Sequence, residues 1–177
     1  MNNKIKRIAL DGFLLAILIV ASKISFSVLT VAFSLQLLAV LIISKLTSTV
    51  DGILIITIYL VMGLIGIPVF ATANAGISYV LLPSFGFIIG FIAVVLFVNQ
   101  FKDRIKNTFV LFLLATVVDY IIGFIYAVAL VKVFGLIELD LTIIEILFQF
   151  IIVFIPFDIA KGFIAKIITD RLVVLHN

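Results

Sequence analysis

The sequence contains no cysteine and no tryptophan, and its single histidine, His176, is the penultimate residue. The absence of cysteine excludes disulfide bonds, thiolate nucleophiles and cysteine-ligated metal sites. The remaining residues form no Ser/His/Asp set, no cluster with metal-ligand spacing and no phosphate-binding loop, and we expect His176 to be solvated. The sequence therefore gives little support to an enzymatic function, and we expect neither a metal nor a cofactor bound by this chain.

Charged residues are also scarce. They make up 12% of the 177 residues, hydrophobic residues make up 66%, and the mean hydropathy is +1.50. Soluble proteins contain about 25% charged and about 45–50% apolar residues. The composition therefore predicts an integral membrane protein. Residues 1–177 are expected to form a single domain, because no polar stretch is long enough for a linker or a soluble module.

Six apolar segments approach or reach the roughly 20 residues that a helix needs to cross a bilayer. They are residues 5–22, 33–43, 53–67, 84–98, 108–131 and 141–168, of which the second is short. We therefore expect an all-α membrane protein with six transmembrane helices in one compact bundle. The first segment is interpreted as a retained helix, because no cleavage site followed by a polar mature region is evident.

The distribution of basic residues predicts the orientation of this bundle. With six crossings, nine of the twelve Lys and Arg residues share a side with the N-terminus: Lys4, Lys6, Arg7, Lys45, Lys102, Arg104, Lys106, Lys166 and Arg171. Only Lys23, Lys132 and Lys161 lie on the other side. Basic residues favour the cytoplasmic side, so we expect both termini in the cytoplasm and the protein in a cell membrane, most simply the bacterial cytoplasmic membrane. The net charge of +3 is thereby explained without nucleic-acid binding.

The connections between the segments carry the polar residues. Residues 66–86 contain two prolines, several glycines, Thr72, Asn74, Ser78 and Tyr79. Irregular backbone at membrane depth is tolerated only where it packs against protein or lines a cavity. We therefore predict a structured external loop between helices 3 and 4 that forms a lid or a pocket wall. Residues 23–31 are expected to be an irregular connection, and Asp51 is expected to cap the third helix.

Asp158 and Lys161 lie three residues apart in the sixth segment, shortly after Pro156. At helical spacing both side chains share a face. A charge at the bilayer centre costs at least about 2.5–3.5 kcal/mol, so such residues indicate a functional site. With Asn74 and Tyr79, they would form the polar part of a small-molecule pocket. The alternative is a mutually neutralising pair that only holds the sixth helix in register.

Two other features also leave alternatives open. Asp119, in the fifth segment, either hydrogen-bonds within the bundle or contributes to the pocket or to a partner contact. Gly12 and Ala16 have the small-xxx-small spacing that lets another helix approach closely in lipid. These small residues either fill the bundle interior or form a docking face for a partner protein.

Three motifs carry a family resemblance. They are Phe33-Ser34-Leu35-Gln36, Gly63-Leu64-Ile65-Gly66-Ile67-Pro68-Val69-Phe70-Ala71 and Pro156-Phe157-Asp158-Ile159-Ala160-Lys161. In this order and spacing they resemble the BioY family, the biotin-specific substrate-binding (S) components of energy-coupling factor (ECF) vitamin importers. The resemblance covers nearly the whole chain. It implies a six-helix S component that captures biotin with high affinity from outside, while a membrane-coupling (T) subunit and two cytoplasmic ATPases drive its transport with ATP.

The resemblance also implies roles for individual residues. Asp158 would accept hydrogen bonds from the ureido N–H groups of biotin, and Lys161 would donate to biotin oxygens or hold Asp158 ionised. The remaining substrate-binding residues are Asn74 and Tyr79 in the loop over the head group, Gln36, and the apolar Phe33, Phe70 and Phe85 around the thiolane ring or valerate chain. Gly12 and Ala16 match the motif that docks the coupling subunit. Lys23 departs from the family pattern.

Other functions remain open on the residues alone. The polar set would also suit an S component for another vitamin. A small proton-coupled carrier that uses Asp119 and Asp158 is conceivable, although six helices without an evident inverted repeat are few for alternating access. A purely structural membrane subunit is the third alternative.

Overall fold

A computed structural model describes residues 3–28, 31–72, 75–133 and 142–174 of the chain. The described part is almost entirely helical. Its α-helices are α1 (Asn3–Lys23), α2 (Gln36–Leu46), α3 (Thr49–Leu64), α4 (Phe85–Phe101), α5 (Thr108–Val128), α6 (Ile143–Leu147) and α7 (Ile155–Val174). A 3₁₀ helix (Ile77–Leu81) precedes α4, and π-helical turns follow α5 (Ala129–Val133) and α6 (Phe148–Ile152).

Two helical stretches are both long and apolar enough to cross a membrane, Thr108–Lys132 and Ile143–Leu172, the second of which contains a turn at residues 153–154. Helices α2, α3 and α4 are apolar but shorter. The expectation of an all-helical bundle is thus confirmed for the described residues, whereas six crossings stay a prediction.

The connection after α1 is more regular than predicted. Ser25–Val28 (β1) and Val31–Ser34 (β2) pair as an antiparallel hairpin, with Ser25 opposite Ser34 and Val28 opposite Val31. The expectation of an irregular connection was wrong, since the Val and Phe residues that alternate with small residues here have the branched or aromatic side chains that favour extended backbone. Phe33 therefore lies in a strand, and α2 begins only at Gln36.

Helix α3 begins earlier than predicted, and Asp51 does not cap it. Ser48 is the N-cap, and its hydroxyl oxygen accepts a hydrogen bond from the Asp51 backbone N–H over 3.2 Å. The Asp51 carboxylate instead accepts from the Ser48 hydroxyl and forms an ion pair with Arg7 of α1. The prediction was wrong because Ser48 provides a capping oxygen three residues upstream.

The sixth apolar segment is interrupted. Helix α6 and its π-helical turn end at Ile152, Val153 and Phe154 form a turn, and α7 begins at Ile155. Pro156 is tolerated there because the first turn of a helix has no intrahelical partner for its N–H. Asp158 and Lys161 consequently lie in the first two turns of α7 rather than in the middle of a helix.

Polar contacts join the helix ends at one end of the bundle. Arg7 of α1 pairs with Asp51 of α3, Asn99 of α4 donates to the Ser44 carbonyl of α2, and Thr108 of α5 donates to Asp170 of α7. The opposite end contains the hairpin, residues 65–72 and the 3₁₀ helix. There the Ser22 hydroxyl of α1 donates to the Val69 carbonyl over 2.5 Å.

Candidate substrate-binding site

A cavity of about 80 Å³ lies near the hairpin end of the bundle. Strand β2, helices α2, α4, α5 and α7, the loop after α3 and the π-helical segment after α6 all contribute to its wall. The lining residues are Ser34, Gln36, Leu37, Ala71, Tyr79, Ser84, Phe87, Ile88, Phe91, Asp119, Tyr120, Phe150, Phe154, Asp158 and Lys161. The cavity therefore combines a few polar groups with an aromatic surround, as ligand pockets do.

The polar part of the cavity is centred on Asp158. Lys161 Nζ donates to Asp158 Oδ1 over 2.7 Å, and the Tyr120 hydroxyl donates to Asp158 Oδ2 over 2.5 Å. The Lys161 and Asp158 side chains are only 10% and 5% exposed. An ion pair at this depth needs hydrogen bonds to offset its desolvation, and Tyr120 provides one.

Asp119 brings a second carboxyl group to the same cavity. Its side chain is buried, and Oδ1 has no hydrogen-bond partner among the residues that the structure describes. Gly90 of α4 faces this carboxyl group, and a Cβ atom at Gly90 would lie 2.2 Å from Asp119 Oδ1. The space for the Asp119 side chain therefore depends on glycine at position 90.

Aromatic side chains form much of the remaining wall. Phe87 and Phe91 are one helical turn apart on α4, so they lie on one face of that helix. Phe150 of the π-helical turn and Phe154 of the turn that follows it also line the cavity. Four aromatic rings thus border the polar groups of α5 and α7.

Gln36 reaches the cavity at the start of α2 and is fixed by its neighbours. Its Oε1 accepts from the Ser34 hydroxyl over 2.7 Å, and its Nε2 donates to the Tyr59 hydroxyl over 2.6 Å. Tyr59, fully buried in α3, donates in turn to the Val69 carbonyl over 2.9 Å. The amide is therefore held in one orientation by a chain of hydrogen bonds that ends in the loop.

The loop backbone over the cavity is attached to the end of α1. The carbonyl of Phe70 accepts from Lys23 Nζ over 2.6 Å, and the carbonyl of Ala71 accepts from the Ser25 hydroxyl over 3.0 Å. The Val69 carbonyl already accepts from Ser22 and Tyr59. The backbone carbonyls of residues 69–71 thus all accept hydrogen bonds from side chains. The role of Lys23 in this structure is to hold the loop at the Phe70 carbonyl.

Tyr79 lies in the 3₁₀ helix and is 2% exposed. Its ring packs against Phe70 with centroids 4.3 Å apart. A phenol is already neutral at physiological pH, and burial raises the pKa of the Tyr79 phenol further, so the hydroxyl keeps its proton. Tyr79 can therefore donate a hydrogen bond at the loop side of the cavity.

The structure brings only part of the predicted substrate-binding set to the cavity. Asp158, Lys161, Tyr79 and Gln36 line it. Asn74 lies outside the described residues. Phe33, Phe70 and Phe85 are buried behind the wall, where Phe33 stacks on Phe154 at 3.9 Å and the other two pack on Tyr79. Direct ligand contact by these three residues stays a prediction.

Gly12 and Ala16 are exposed on α1. A Cβ atom at Gly12 would meet no other atom within 4 Å. Ala16 also borders an apolar groove of about 590 Å³ between α1, α2 and α7. Of the two alternatives for these small residues, filling of the bundle interior is therefore wrong for the chain on its own.

The sequence analysis missed Tyr120 and the four phenylalanines of the wall. Tyr120 directly follows Asp119, and a hydroxyl beside an intramembrane acid is a signal that could have been used. The i, i+4 spacing of Phe87 with Phe91 and of Phe150 with Phe154 was also visible. Eighteen phenylalanines in the chain made such pairs hard to distinguish from ordinary apolar residues.

The chemistry of the cavity favours recognition of a small molecule with several hydrogen-bonding groups and an apolar body. It offers carboxyl acceptors, an ammonium, two phenols and an amide. Among the described residues, no group of three or more His, Asp or Glu side chains is arranged to hold a metal ion. Binding by hydrogen bonds and apolar contact is therefore the chemistry that these side chains supply.

Known proteins with similar sequences are biotin transporters by name. The chain is 30% identical over 172 residues to the probable biotin transporter BioY of Pyrococcus horikoshii, an alignment that covers 96% of this chain and 97% of that protein. It is 27% identical over 164 residues to the biotin transporter BioY of Thermotoga maritima, covering 91% and 92% of the two chains. The probable biotin transporter BioY of Lysinibacillus sphaericus is 39% identical over 100 residues, which span 56% of this chain and half of that protein.

One solved structure has the same fold. The crystal structure of the S-component for biotin from an ECF-type ABC transporter superposes with a TM-score of 0.81 at 23% identity. The match covers 97% of this chain and 94% of that one. The family model described as the BioY family matches residues 1–176. The chain therefore belongs to the BioY family.

Proposed function

We propose that this protein is the biotin-binding S component of an ECF-type importer. It binds biotin in the cavity beside Asp158 and Lys161 and delivers it across the membrane without enzymatic activity of its own. The observation that carries the proposal is the cavity itself, in which a buried ion pair, two phenols and an amide meet an aromatic wall within a chain of the BioY family.

The chemistry of biotin complements this cavity. Its ureido ring has two N–H donors and one carbonyl acceptor, and its thiolane ring and valerate chain are apolar up to the terminal carboxylate. In this proposal Asp158 accepts from the ureido ring, while Lys161 and Tyr79 donate to ligand oxygens; all three line the cavity. Phe87, Phe91, Phe150 and Phe154 offer the apolar contact.

The cavity of about 80 Å³ is smaller than the roughly 300–1,000 Å³ of pockets that enclose drug-sized ligands. We therefore expect lining side chains to move when biotin binds. Phe154 is suited to such a movement because it lies in the turn between the π-helical segment and α7. Its ring stacks on Phe33 with centroids 3.9 Å apart.

The proposed topology has six crossings with both termini in the cytoplasm of a bacterial cell. It is supported by the joined helix ends, since Arg7, Lys102 and Asp170 all belong to the end where the predicted cytoplasmic basic residues cluster. In this topology the hairpin, residues 65–72 and the cavity face the outside. The loop after α3 is then the external element that covers the ligand.

The proposed partners are a membrane-coupling T subunit and two cytoplasmic ATPases. The docking surface for the T subunit is the exposed face of α1 that carries Gly12 and Ala16, because small residues allow close helix approach in lipid. ATP is hydrolysed by the partner ATPases, so biotin uptake is expected to stop on ATP depletion and to persist when the proton gradient is dissipated. The opposite result would favour a proton-coupled carrier.

Thermal unfolding of the detergent-purified protein tests the binding function. Biotin is expected to raise the unfolding temperature, because a ligand that binds the native state stabilises it by mass action. The shift should be strongly reduced in Asp158→Asn. Asp170→Asn, on the same helix but outside the cavity, is the matched control and should keep the full shift. A shift with thiamine or riboflavin and none with biotin would overturn the assignment.

A further inference from the structure

Of the two carboxyl groups that line the cavity, Asp119 accepts fewer hydrogen bonds from described residues than Asp158 does. It is 2% exposed, it lines the cavity, and Oδ1 has no hydrogen-bond partner among the described residues. An unsatisfied buried polar group costs roughly 1–3 kcal/mol in proteins. A molecule bound in the cavity that donates to this oxygen would remove that cost.

Both carboxylate oxygens of Asp158, unlike Asp119 Oδ1, accept hydrogen bonds from described residues. Lys161 Nζ donates to Oδ1 and the Tyr120 hydroxyl donates to Oδ2, so each oxygen already has a donor at 2.7 Å or less. A ligand N–H that approaches Asp158 must share an oxygen with one of these donors. An N–H that approaches Asp119 Oδ1 meets an acceptor that no other described residue occupies.

Packing against Gly90 positions Asp119 Oδ1, which has no hydrogen-bond partner in the described part of the chain. Gly90 of α4 leaves the space next to Oδ1, since a Cβ atom there would lie 2.2 Å from that oxygen. The side chain is thus positioned by shape between α4 and α5. Because the acceptor is already in position, a ligand donor can bind it without the cost of rearranging the side chain.

We propose that Asp119 is a ligand-contacting residue whose Oδ1 accepts a hydrogen bond from one N–H of a cyclic urea head group, while Asp158 accepts the other. This inference rests on the proposed biotin-binding function and adds a second recognition residue to it. Two acceptors for two N–H donors select a ureido ring over a ring with one N–H. A missing donor leaves a buried acceptor unpaired, which is how polar sites discriminate strongly.

Asp119→Leu separates this role from a structural one. Leu has a similar branched shape and no polar atoms, so the unliganded variant should unfold at an equal or higher temperature than wild type, because an unsatisfied buried group has been removed. Its affinity for biotin, measured by isothermal titration calorimetry, should fall roughly ten- to a hundredfold. Asp119→Asn keeps a carbonyl acceptor of the same size, so its affinity for biotin should fall less than that of Asp119→Leu. It also remains informative if the Leu variant does not fold.

Biotin analogues methylated at one or the other ureido nitrogen identify the contact itself. For wild type, methylation removes the hydrogen bond to Asp119 in one of the two analogues. For Asp119→Leu, that analogue and biotin should bind with similar affinity, so the two changes are non-additive. Additive losses for both analogues would overturn the contact.

Gly90→Ala tests the position of the carboxyl group without changing its chemistry. The added Cβ displaces Asp119 Oδ1, so biotin affinity should fall by roughly tenfold. Gly162→Ala is the matched control on α7, where the nearest atom to an added Cβ is 3.8 Å away, and it should bind biotin as wild type does.

The failures of the two proposals are distinguishable. Wild-type protein that does not bind biotin contradicts the biotin-binding function. Wild-type protein that binds biotin while Asp119→Leu binds it equally well contradicts only the role of Asp119. A lower unfolding temperature of unliganded Asp119→Leu and Asp119→Asn, with unchanged biotin affinity, would assign Asp119 to stability instead.

Discussion

Tyr120 on α5 donates a hydrogen bond to Oδ2 of Asp158 on α7, over 2.5 Å and inside the cavity. Because Lys161 donates to the other carboxylate oxygen, Asp158 is held by hydrogen bonds from two helices. The phenol therefore fixes the position of α7 relative to α5 and orients the carboxylate at the same time.

Tyr120→Phe is expected to destabilise the unliganded protein. The substitution keeps the ring and removes only the hydroxyl, so one oxygen of a buried carboxylate loses its donor. Hydrogen bonds to charged groups contribute about 1.5–3 kcal/mol, and we expect the free energy of unfolding to fall by about that amount. Chemical denaturation of the detergent-solubilised protein measures it.

Tyr126→Phe is the control for this prediction. Tyr126 lies on the same helix and donates over 2.5 Å as well, but to the neutral backbone carbonyl of Val80. A neutral hydrogen bond contributes about 0.5–1.5 kcal/mol, so the loss should be smaller. Equal losses for the two variants would show that the charge of Asp158 does not matter to the Tyr120 contact.

Lys161→Met is expected to lower the free energy of unfolding by more than the loss of one hydrogen bond would. Met keeps much of the side-chain length and removes the ammonium, which leaves the Asp158 carboxylate buried without a cation. Removing one partner of a buried ion pair costs about 3–5 kcal/mol. Adding Asp158→Asn should restore much of that stability, because the unpaired charge is then gone. An additive double variant would contradict this coupling.

Lys166→Met removes the cation of an exposed ion pair and is the control for Lys161→Met, which removes the cation of a buried one. Lys166 pairs with Asp170 on the same helix over 2.9 Å, with side chains that are 36% and 45% exposed. Exposed pairs contribute about 0–1 kcal/mol, so Lys166→Met should change the free energy of unfolding little. Denaturation curves of the two methionine variants, recorded under identical conditions, therefore measure the effect of burial.

Family membership was predictable from the sequence because its motifs are local. The run around Phe70 and the spacing of Asp158 and Lys161 led to the BioY family, and the family match confirms it. The helical regions followed from composition, since long apolar runs broken by Gly, Pro and charge are visible without a structure.

Other parts of the site depend on which residues meet in space. Tyr120 and Asp158 are 38 residues apart, and no pattern along the chain relates them. The hairpin after α1 was missed because a short stretch of Ser, Val and Phe fits a loop as well as a strand. Lys23 was noted only as a departure from the family, since its partner, the Phe70 carbonyl, has no side-chain signal.

Lys23→Met is expected to loosen the loop over the cavity. The Phe70 carbonyl loses its donor, while the neighbouring carbonyls keep theirs, so the fold should persist. A net hydrogen bond contributes about 0.5–1.5 kcal/mol, and we expect biotin to dissociate roughly two- to tenfold faster. Dissociation of labelled biotin and deuterium uptake by residues 69–71 measure the two effects. Lys6→Met, an exposed change at the far end of α1, should leave both unchanged; a dissociation rate unaffected by Lys23→Met would contradict the anchoring role.

Ala16→Leu is expected to separate binding from transport. Ala16 is exposed on α1, so a larger side chain there should leave the fold and the biotin affinity intact, yet it should prevent close approach by a helix of the coupling subunit. Biotin uptake by cells and co-purification with the T subunit should both fall sharply. Ala160→Leu makes the same change at an exposed alanine of α7 and should preserve uptake. Normal uptake by Ala16→Leu, or equal loss in both variants, would contradict a docking surface on this face of α1, because both variants add the same side chain at an exposed alanine of a helix.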